Sequence, residues 1–174
     1  FNRHLAFATS NNDVNTAEMY ALDTDPDRPD HYLFDGVPVP LDREPITISY
    51  RSGDRDISVT RDRLTTRFGP VLHRDHDTIY VLRDAEDGIY RGGDQFLRMM
   101  RARSLDEWKA AMRLQAHPGS HFVYADAGGN ILFLWNGAVP VRTHPGAGDD
   151  PVRASRTGDV WTRLHALDEL PQLG

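Results

Sequence analysis

The chain has 174 residues, of which 39% are hydrophobic and 26% charged, and this is the composition of an ordinary globular protein with a substantial core. The formal net charge of −6 argues against a general nucleic-acid-binding role, because such proteins present basic patches. The absence of cysteine excludes disulfides, thiolate metal ligands and a cysteine nucleophile. No apolar run approaches the roughly 18 residues that a membrane-spanning helix needs. We therefore expect one domain over residues 1–174, with no membrane span and no nucleic-acid partner.

The first half of the chain indicates antiparallel β-structure. The segment Asp23–Asp30 is rich in proline and aspartate and is predicted to be a loop. Short alternating segments follow it and are separated by turn residues such as Asp35-Gly36. This pattern predicts an antiparallel meander with strands at Tyr32–Phe34, Ile46–Tyr50, Ile57–Thr60 and Thr78–Leu82.

Two helices are predicted next. The first covers Gln95–Arg101, with Phe96, Met99 and Met100 on its buried side. The second covers Ser104–Gln115, because Ser104 and Glu107 form a capping box. Five side chains recur at a spacing of three or four residues and are predicted to form one packed stripe along the helix. They are Leu105, Trp108, Ala111, Met112 and Gln115.

The strongest local signal is a β-hairpin after the second helix. Two apolar runs, His121–Ala125 and Ile131–Trp135, are joined by a turn that contains two glycines and an asparagine. These residue types supply the positive-φ positions of a tight turn. Farther along, Thr143–Asp159 is rich in Gly, Pro, Asp and Arg and is predicted to be a long surface loop.

Three motifs carry a family resemblance: Tyr124-Ala125-Asp126-x-x-Gly129-Asn130-Ile131 in the hairpin, Asn136-Gly137-x-x-Pro140-x-Arg142 after it, and Arg67-Phe68-Gly69-Pro70-Val71 before both. In this order and spacing they resemble the β-chain of the penicillin amidase family of N-terminal-nucleophile acylases. The match is closest to the branch of glutaryl-cephalosporin and acyl-homoserine-lactone acylases, and it extends nearly end to end. The resemblance implies an α+β fold, part of an αββα sandwich of antiparallel strands with two short helices.

The resemblance also implies a reaction, the hydrolysis of an amide such as a β-lactam side chain or an N-acyl-homoserine lactone. Such enzymes use the first residue of the β-chain as nucleophile and its own α-amino group as base, so no metal or other cofactor is required. Phe1 has no nucleophilic atom. We therefore expect the nucleophile upstream of Phe1, and no activity from these 174 residues alone. The expected partners are the α-chain, the rest of the β-chain and a small acyl amide; export to the periplasm or medium is implied by the family.

By the same resemblance, two donors of the oxyanion hole map onto this chain. One is the backbone N–H of Asn11, for which a plain polar turn is the alternative interpretation. The other is usually an asparagine amide three residues before the Tyr-Ala-Asp motif, and that position is His121 here. An imidazole can donate a hydrogen bond, but His121 could equally be a strand-end histidine that packs and meets a carbonyl. Candidate residues of an acyl pocket are Ser10, Asn12, Phe96 and Met99, with core packing as the alternative for the last two.

No metal site is predicted. The segment His73–Asp77 is rich in histidine and aspartate but indicates a charged turn, since no further ligand is identifiable from spacing. The repeat of Asp23, Asp25 and Asp27 lacks the glycine and the glutamate of a calcium-binding EF-hand loop. The functional alternative to an acylase is a non-catalytic binding or structural module with the N-terminal-nucleophile fold, in which His121 marks lost activity.

Overall fold

The computed structural model describes residues 1–144 and 150–174. The strands within these ranges, in chain order, are Leu5–Asn11 (β1), Ala17–Asp23 (β2), His31–Phe34 (β3), Val37–Pro40 (β4), Asp42–Ser52 (β5), Arg55–Thr66 (β6), Gly69–Arg74 (β7), Thr78–Asp84 (β8), Ser120–Asp126 (β9), Ile131–Asn136 (β10), Val152–Arg153 (β11) and Gln172–Leu173 (β12). The helices are Gly92–Arg101 (α1) and Leu105–Met112 (α2). No helix of the described residues has the length and apolar character required to cross a membrane.

The chain divides into two compact units. The first, which we call the helical unit, comprises Phe1–Ala17, Ala85–Val141 and Thr162–Gly174. The second, the strand unit, comprises Glu18–Asp84 and Arg142–Trp161.

The helical unit contains an antiparallel four-stranded sheet in the order β1-β9-β10-β12. The β9–β10 pair is the predicted hairpin, so that prediction is confirmed. Its turn is held by the carboxylate of Asp126, which accepts hydrogen bonds from the backbone N–H groups of Gly128 at 2.9 Å and Asn130 at 3.0 Å. Gly129 has φ +89°, a left-handed conformation that glycine adopts without steric penalty.

The two faces of this sheet differ in what covers them. Successive residues of a strand point to opposite faces. On β9, Phe122 and Tyr124 are fully buried and pack against Trp108 of α2. Val123, which lies between them, points to the other face and is 51% exposed. We call these the helix face and the outer face. The helices therefore cover one side of the sheet only.

Both predicted helices form, and α2 begins as expected. The hydroxyl of Ser104 accepts a hydrogen bond from the Glu107 backbone N–H at 3.2 Å, and the Glu107 carboxylate accepts one from the Arg103 N–H at 2.8 Å. These bonds satisfy donors that a helix leaves unpaired at its N-terminus. Trp108 and Met112 have no exposed surface, as the stripe predicts.

Three details of the helix predictions are wrong. The first helix begins at Gly92 rather than at Gln95. Met100 is 46% exposed, because the buried side of α1 is formed by Gln95 and Met99, one turn apart, and Met100 follows Met99 about 100° around the helix. The second helix ends at Met112 rather than at Gln115. Gln115 instead has φ +45°, and its amide donates to the carbonyl of His165 at 2.8 Å.

The strand unit contains an antiparallel meander over β5 to β8, as predicted, but the predicted strand Tyr32–Phe34 is not part of it because β3 pairs with β4 instead. Its six-stranded sheet has the order β11-β2-β8-β7-β6-β5, and β3 and β4 form a separate hairpin. Strands β5 and β6 pair from Asp42–Thr65 to Ser52–Arg55 as a long and mostly exposed ribbon. Phe68 lies at the centre of the unit, in ring contact with Tyr20, Tyr32 and Phe34.

The prediction of a continuous loop at Thr143–Asp159 is wrong in part. Val152–Arg153 forms a short strand parallel to β2, fixed by the hydrogen bond from the Ala154 N–H to the Ala21 carbonyl at 3.0 Å. Thr157–Asp159 forms one turn of 3-10 helix. Residues 145–149, which also belong to the predicted loop, lie outside the described residues. A two-residue strand depends on a distant partner, and no local pattern predicts it.

We expect Trp108→Ala to lower the free energy of unfolding by about 3–5 kcal/mol, because removing a fully buried indole leaves a cavity in the core. Chemical denaturation followed by circular dichroism measures the change. Tyr90→Ala is the control, because Tyr90 is 89% exposed and its loss should leave the midpoint unchanged. An unchanged midpoint in Trp108→Ala would show that the stripe is not core.

Candidate functional site

The two predicted oxyanion donors lie together in the helical unit. In the β1–β9 pair, Ser10 is opposite His121 and Asn11 is opposite Ser120. Asn11 and His121 are therefore one register step apart on neighbouring strands, although the helices separate them in sequence. The structure brings these residues together; their chemical role stays a prediction.

The direction of the Asn11 N–H follows from the hydrogen bonds at the two ends of the β1–β9 pair. The N–H of Asn12 donates to the Gly119 carbonyl at 3.5 Å, and the carbonyl of His4 accepts from the Ala127 N–H at 2.8 Å. In an antiparallel pair every second residue directs its N–H and C=O toward the partner strand. The even-numbered residues of β1 therefore bond to β9, and the N–H of Asn11 points away from it. Among the described residues β1 is the edge of the sheet, so this N–H lies at an open edge.

His121 lies on the outer face of the sheet, opposite the helices. Its ring is partly buried and stacks on Phe133 of β10, with 5.5 Å between ring centroids and 26° between planes. In the part of the chain that the structure describes, neither imidazole nitrogen has a hydrogen-bond partner. The stacking on Phe133 is compatible with the packing interpretation, whereas the contact with a carbonyl that this interpretation includes is not found among the described residues. One ring N–H is available to a ligand.

The Tyr-Ala-Asp motif has a structural role in the hairpin. The Tyr124 hydroxyl donates to the Asp126 carboxylate at 2.9 Å. Burial, together with that carboxylate, raises the pKa of Tyr124, so this phenol stays protonated. The Asn130 amide and the backbone N–H groups of the turn lower the pKa of Asp126. The residues that identify the motif therefore shape the hairpin that carries His121.

Two asparagines that were not predicted as structural partners meet at the end of β1 and β10. The side-chain amide of Asn12 donates to the backbone carbonyl of Asn136 at 3.1 Å. Asn136 has no exposed surface, and its own amide donates to the carbonyls of His117 at 3.4 Å and Pro118 at 3.5 Å. Asn136 is opposite Ser120 in the sheet and points to the helix face. The available sequence signal was the place of Asn136 in the motif after the hairpin; its burial, which makes partners necessary, is seen in the structure.

The four candidate pocket residues do not share one surface. Ser10 is exposed on the outer face, beside His121. Phe96 and Met99 belong to α1 on the helix face, where Phe96 contacts Phe7 at 5.7 Å between centroids and Met99 is fully buried. The sheet lies between these two residues and His121. Their placement favours the alternative of core packing.

A second buried polar cluster, in the strand unit, contains the arginine that closes the motif after the hairpin. The carboxylate of Glu18 is only 7% exposed and accepts hydrogen bonds from Arg142 at 3.3 Å and from the Tyr20 hydroxyl at 2.8 Å. Burial raises the pKa of Tyr20. Because the guanidinium compensates the buried carboxylate, this cluster anchors the chain where it leaves the motif.

No group of three or more His, Asp or Glu side chains in the described residues is arranged to hold a metal ion. In the charged turn predicted at His73–Asp77, the His73 ring lies 3.0 Å from the Asp75 carboxylate, and both side chains are more than half exposed. A groove in the strand unit borders this turn and is lined by charged residues such as Asp25 and Arg74. None of the predicted site residues lines it.

This geometry agrees with what comparison with known proteins shows. The penicillin amidase family model matches residues 1–174, and the chain belongs to that family. The sequence-based resemblance is thereby confirmed. Acyl-homoserine lactone acylase PvdQ of Pseudomonas putida is 31% identical over 148 residues, a match covering 80% of this chain and 19% of that protein. PvdQ of Pseudomonas fluorescens is 30% identical over 199 residues, covering 99% of this chain and 26% of that protein.

Two further similarities are more distant. Aculeacin-A acylase of Actinoplanes utahensis is 29% identical over 146 residues, or 80% of this chain and 18% of that protein. Penicillin G acylase of Alcaligenes faecalis has a similar fold, with a TM-score of 0.75 and 21% identity over 99% of this chain and 31% of that one. The α+β fold of an N-terminal-nucleophile hydrolase, with mostly antiparallel strands and two helices, is thus confirmed. The chain spans between 18% and 26% of the length of these curated relatives.

We expect Asp126→Asn to lower the denaturation midpoint at neutral pH, because the ionised carboxylate holds the turn. A lowered folded-state pKa means that this stabilisation is present above the usual range of an aspartate and is lost as the pH falls through the lowered value. Urea unfolding at several pH values should therefore show the wild-type and mutant curves converging under acidic conditions. Asp87→Asn, at an exposed aspartate of the same unit, is the control and should leave the midpoint at neutral pH unchanged. A difference between wild type and Asp126→Asn that stays constant with pH would contradict the role of the charge.

Proposed function

We propose that these residues are part of an acylase of the penicillin amidase family, in which the Asn11 N–H and the His121 imidazole form the oxyanion hole. The observation that supports this most directly is the backbone donor at the open edge of β1. It lies one register step from an imidazole that has no hydrogen-bond partner among the described residues. A backbone donor does not depend on the side chain, so asparagine at position 11 is compatible with the role.

The reaction in this proposal is amide hydrolysis through a covalent acyl-enzyme. A nucleophilic hydroxyl supplied by acylase chain outside these 174 residues attacks the carbonyl carbon, and the carbonyl oxygen becomes an oxyanion. The two donors stabilise this developing charge. The C–N bond then breaks, the amine leaves with a proton, and water hydrolyses the ester to release the carboxylic acid. Neither a metal nor another cofactor takes part.

The proposed substrate is a small amide with an acyl group that can be released as a carboxylic acid. The names of the relatives describe acylases of acyl-homoserine lactones, aculeacin A and penicillin G. Their common chemistry is cleavage of an acyl group from an amine. We extend only this common chemistry to the present chain. The proposed partners are the α-chain of the acylase and the rest of its β-chain.

A non-catalytic module with the same fold is the second candidate, and His121 at the usual asparagine position is the observation that favours it. The two candidates differ upstream of Phe1. A Ser, Thr or Cys that follows an autocleavable glycine supports the acylase, and its absence supports the module. Sequencing the complete gene decides between them.

We expect the 174-residue chain to show no turnover, and the product of the complete gene to hydrolyse at least one acyl amide. The physical reason is that acyl transfer needs a nucleophilic oxygen or sulfur next to a base. Both proteins are incubated with chromogenic phenylacetyl, glutaryl and long-chain acyl amides. Turnover by the 174-residue chain that survives repurification would require a nucleophile within these residues. Inactivity of both proteins would favour the non-catalytic module.

In the complete acylase we expect His121→Ala to lower kcat roughly 10²–10³-fold, the usual effect of removing one oxyanion donor, with a smaller change in KM. His121→Asn should retain activity, because an amide is a neutral donor of the same kind. Val123→Ala is the matched control, since Val123 lies on the same face of the same strand and is half exposed. If His121→Ala and Val123→Ala have equal kcat values, His121 is a packing residue.

A further inference from the structure

The end of β1 is fixed by a small group of residues that we call the asparagine clamp, which consists of Asn12, Gly119 and Asn136. Asn12 directly follows the residue with the proposed backbone donor. Its N–H bonds to the Gly119 carbonyl at 3.5 Å, and its side-chain amide bonds to the Asn136 carbonyl at 3.1 Å. Asn12 is thus attached to the start of β9 and to the end of β10 at the same time.

Asn136 extends the clamp to the segment that precedes β9. Its amide group donates to the carbonyls of His117 and Pro118, and it is completely buried on the helix face. That segment leads within three residues to His121. Asn136 therefore fixes the segment before β9 from the face that does not carry His121, and Asn12 fixes the end of β1.

The clamp leaves no free space around its glycine. A Cβ atom added at Gly119 would lie 2.6 Å from the side-chain oxygen of Asn12 and 2.7 Å from a methyl carbon of Val14. A Cβ added at Gly137, directly after β10, would lie 2.9 Å from the other methyl carbon of Val14. A larger residue at either glycine would therefore have to displace the side chain of Asn12 or Val14.

The amides of the clamp are not optimised for stability. The side-chain oxygens of Asn12 and Asn136 are buried, and neither has a hydrogen-bond donor in the described part of the chain. Unpaired buried acceptors destabilise a fold. What the two amides provide instead is a fixed position for the last residues of β1, which is an edge strand among the described residues and would otherwise fray.

We propose that Asn12 and Asn136 are positioning residues, which orient the Asn11 N–H toward the oxyanion by clamping the end of β1 to β9 and β10. This inference rests on the proposed oxyanion function. An oxyanion donor acts only if it is held in place before the reaction, and small displacements of catalytic groups reduce the rate steeply. The clamp supplies that constraint through the backbone that follows Asn11.

The test uses the complete acylase with Asn12→Asp, which keeps the size of the side chain but removes the amide donor. We expect kcat to fall on the order of 10- to 100-fold while KM changes little, because the donor is misplaced only by a fraction of its hydrogen-bond length. Asn12→Ser, a smaller side chain that also loses the bond to Asn136, should behave in the same way. Asp13→Asn, at the exposed neighbouring residue, is the control and should leave kcat unchanged.

A second measurement separates this inference from the proposed function. Hydrogen–deuterium exchange of the same proteins should be faster over residues 8–13 in Asn12→Asp and unchanged in the peptides from α2. Faster exchange with unchanged kcat, while His121→Ala lowers kcat, would overturn the positioning role and leave the acylase proposal intact. Unchanged exchange in the clamp variants would overturn the inference even if the complete protein is inactive. Faster exchange in an inactive protein would also overturn it, since there would then be no reaction for the clamp to serve.

Discussion

The packing of two short helices onto one face of the four-stranded sheet is the constraint on which the helical unit depends. Trp108 contacts Phe122 and Tyr124, and all three side chains are fully buried. Because side chains alternate along β9, burying these two residues directs His121 to the other face. A shift of one residue in the pairing would bury the histidine and expose the aromatic rings. The core thus determines where the proposed chemistry can take place.

Local sequence patterns predicted the elements whose determinants are close together in the chain. The β9–β10 hairpin has its turn residues and both apolar runs within a short segment, and α2 has its own N-cap and stripe. Patterns failed where the partner is distant. Val152–Arg153 becomes a strand only beside β2, and Gln115, beyond the end of α2, donates to the distant carbonyl of His165. Neither contact produces a repeating pattern of residue types in the sequence.

The candidate site was predicted in part, because sequence similarity indicates which residues are candidates but not how their groups are oriented. The family resemblance selected Asn11 and His121 as candidate donors. The direction of a backbone N–H, however, depends on which residues of β1 bond to β9, and only the strand register shows this. The asparagine clamp was not predicted because its members come from three segments of the chain. The sequence shows Asn136 only as a residue of the motif after the hairpin. Its burial and its hydrogen bonds to His117 and Pro118 are seen in the structure.

The open-edge donor at Asn11 has a consequence for how activity is inferred in relatives. Since the proposed donor belongs to the main chain, a change of the side chain at position 11 would leave the proposed oxyanion contact in place. The neighbours that hold the backbone in place are not equally free, because Gly119 has no room for a methyl group beside Asn12. A survey that ranks family members by the residue at position 11 would therefore mistake tolerated variation for lost catalysis. Under the proposed function, the residues that indicate an active site are those that hold the backbone of β1 in place, such as Asn12 and Gly119.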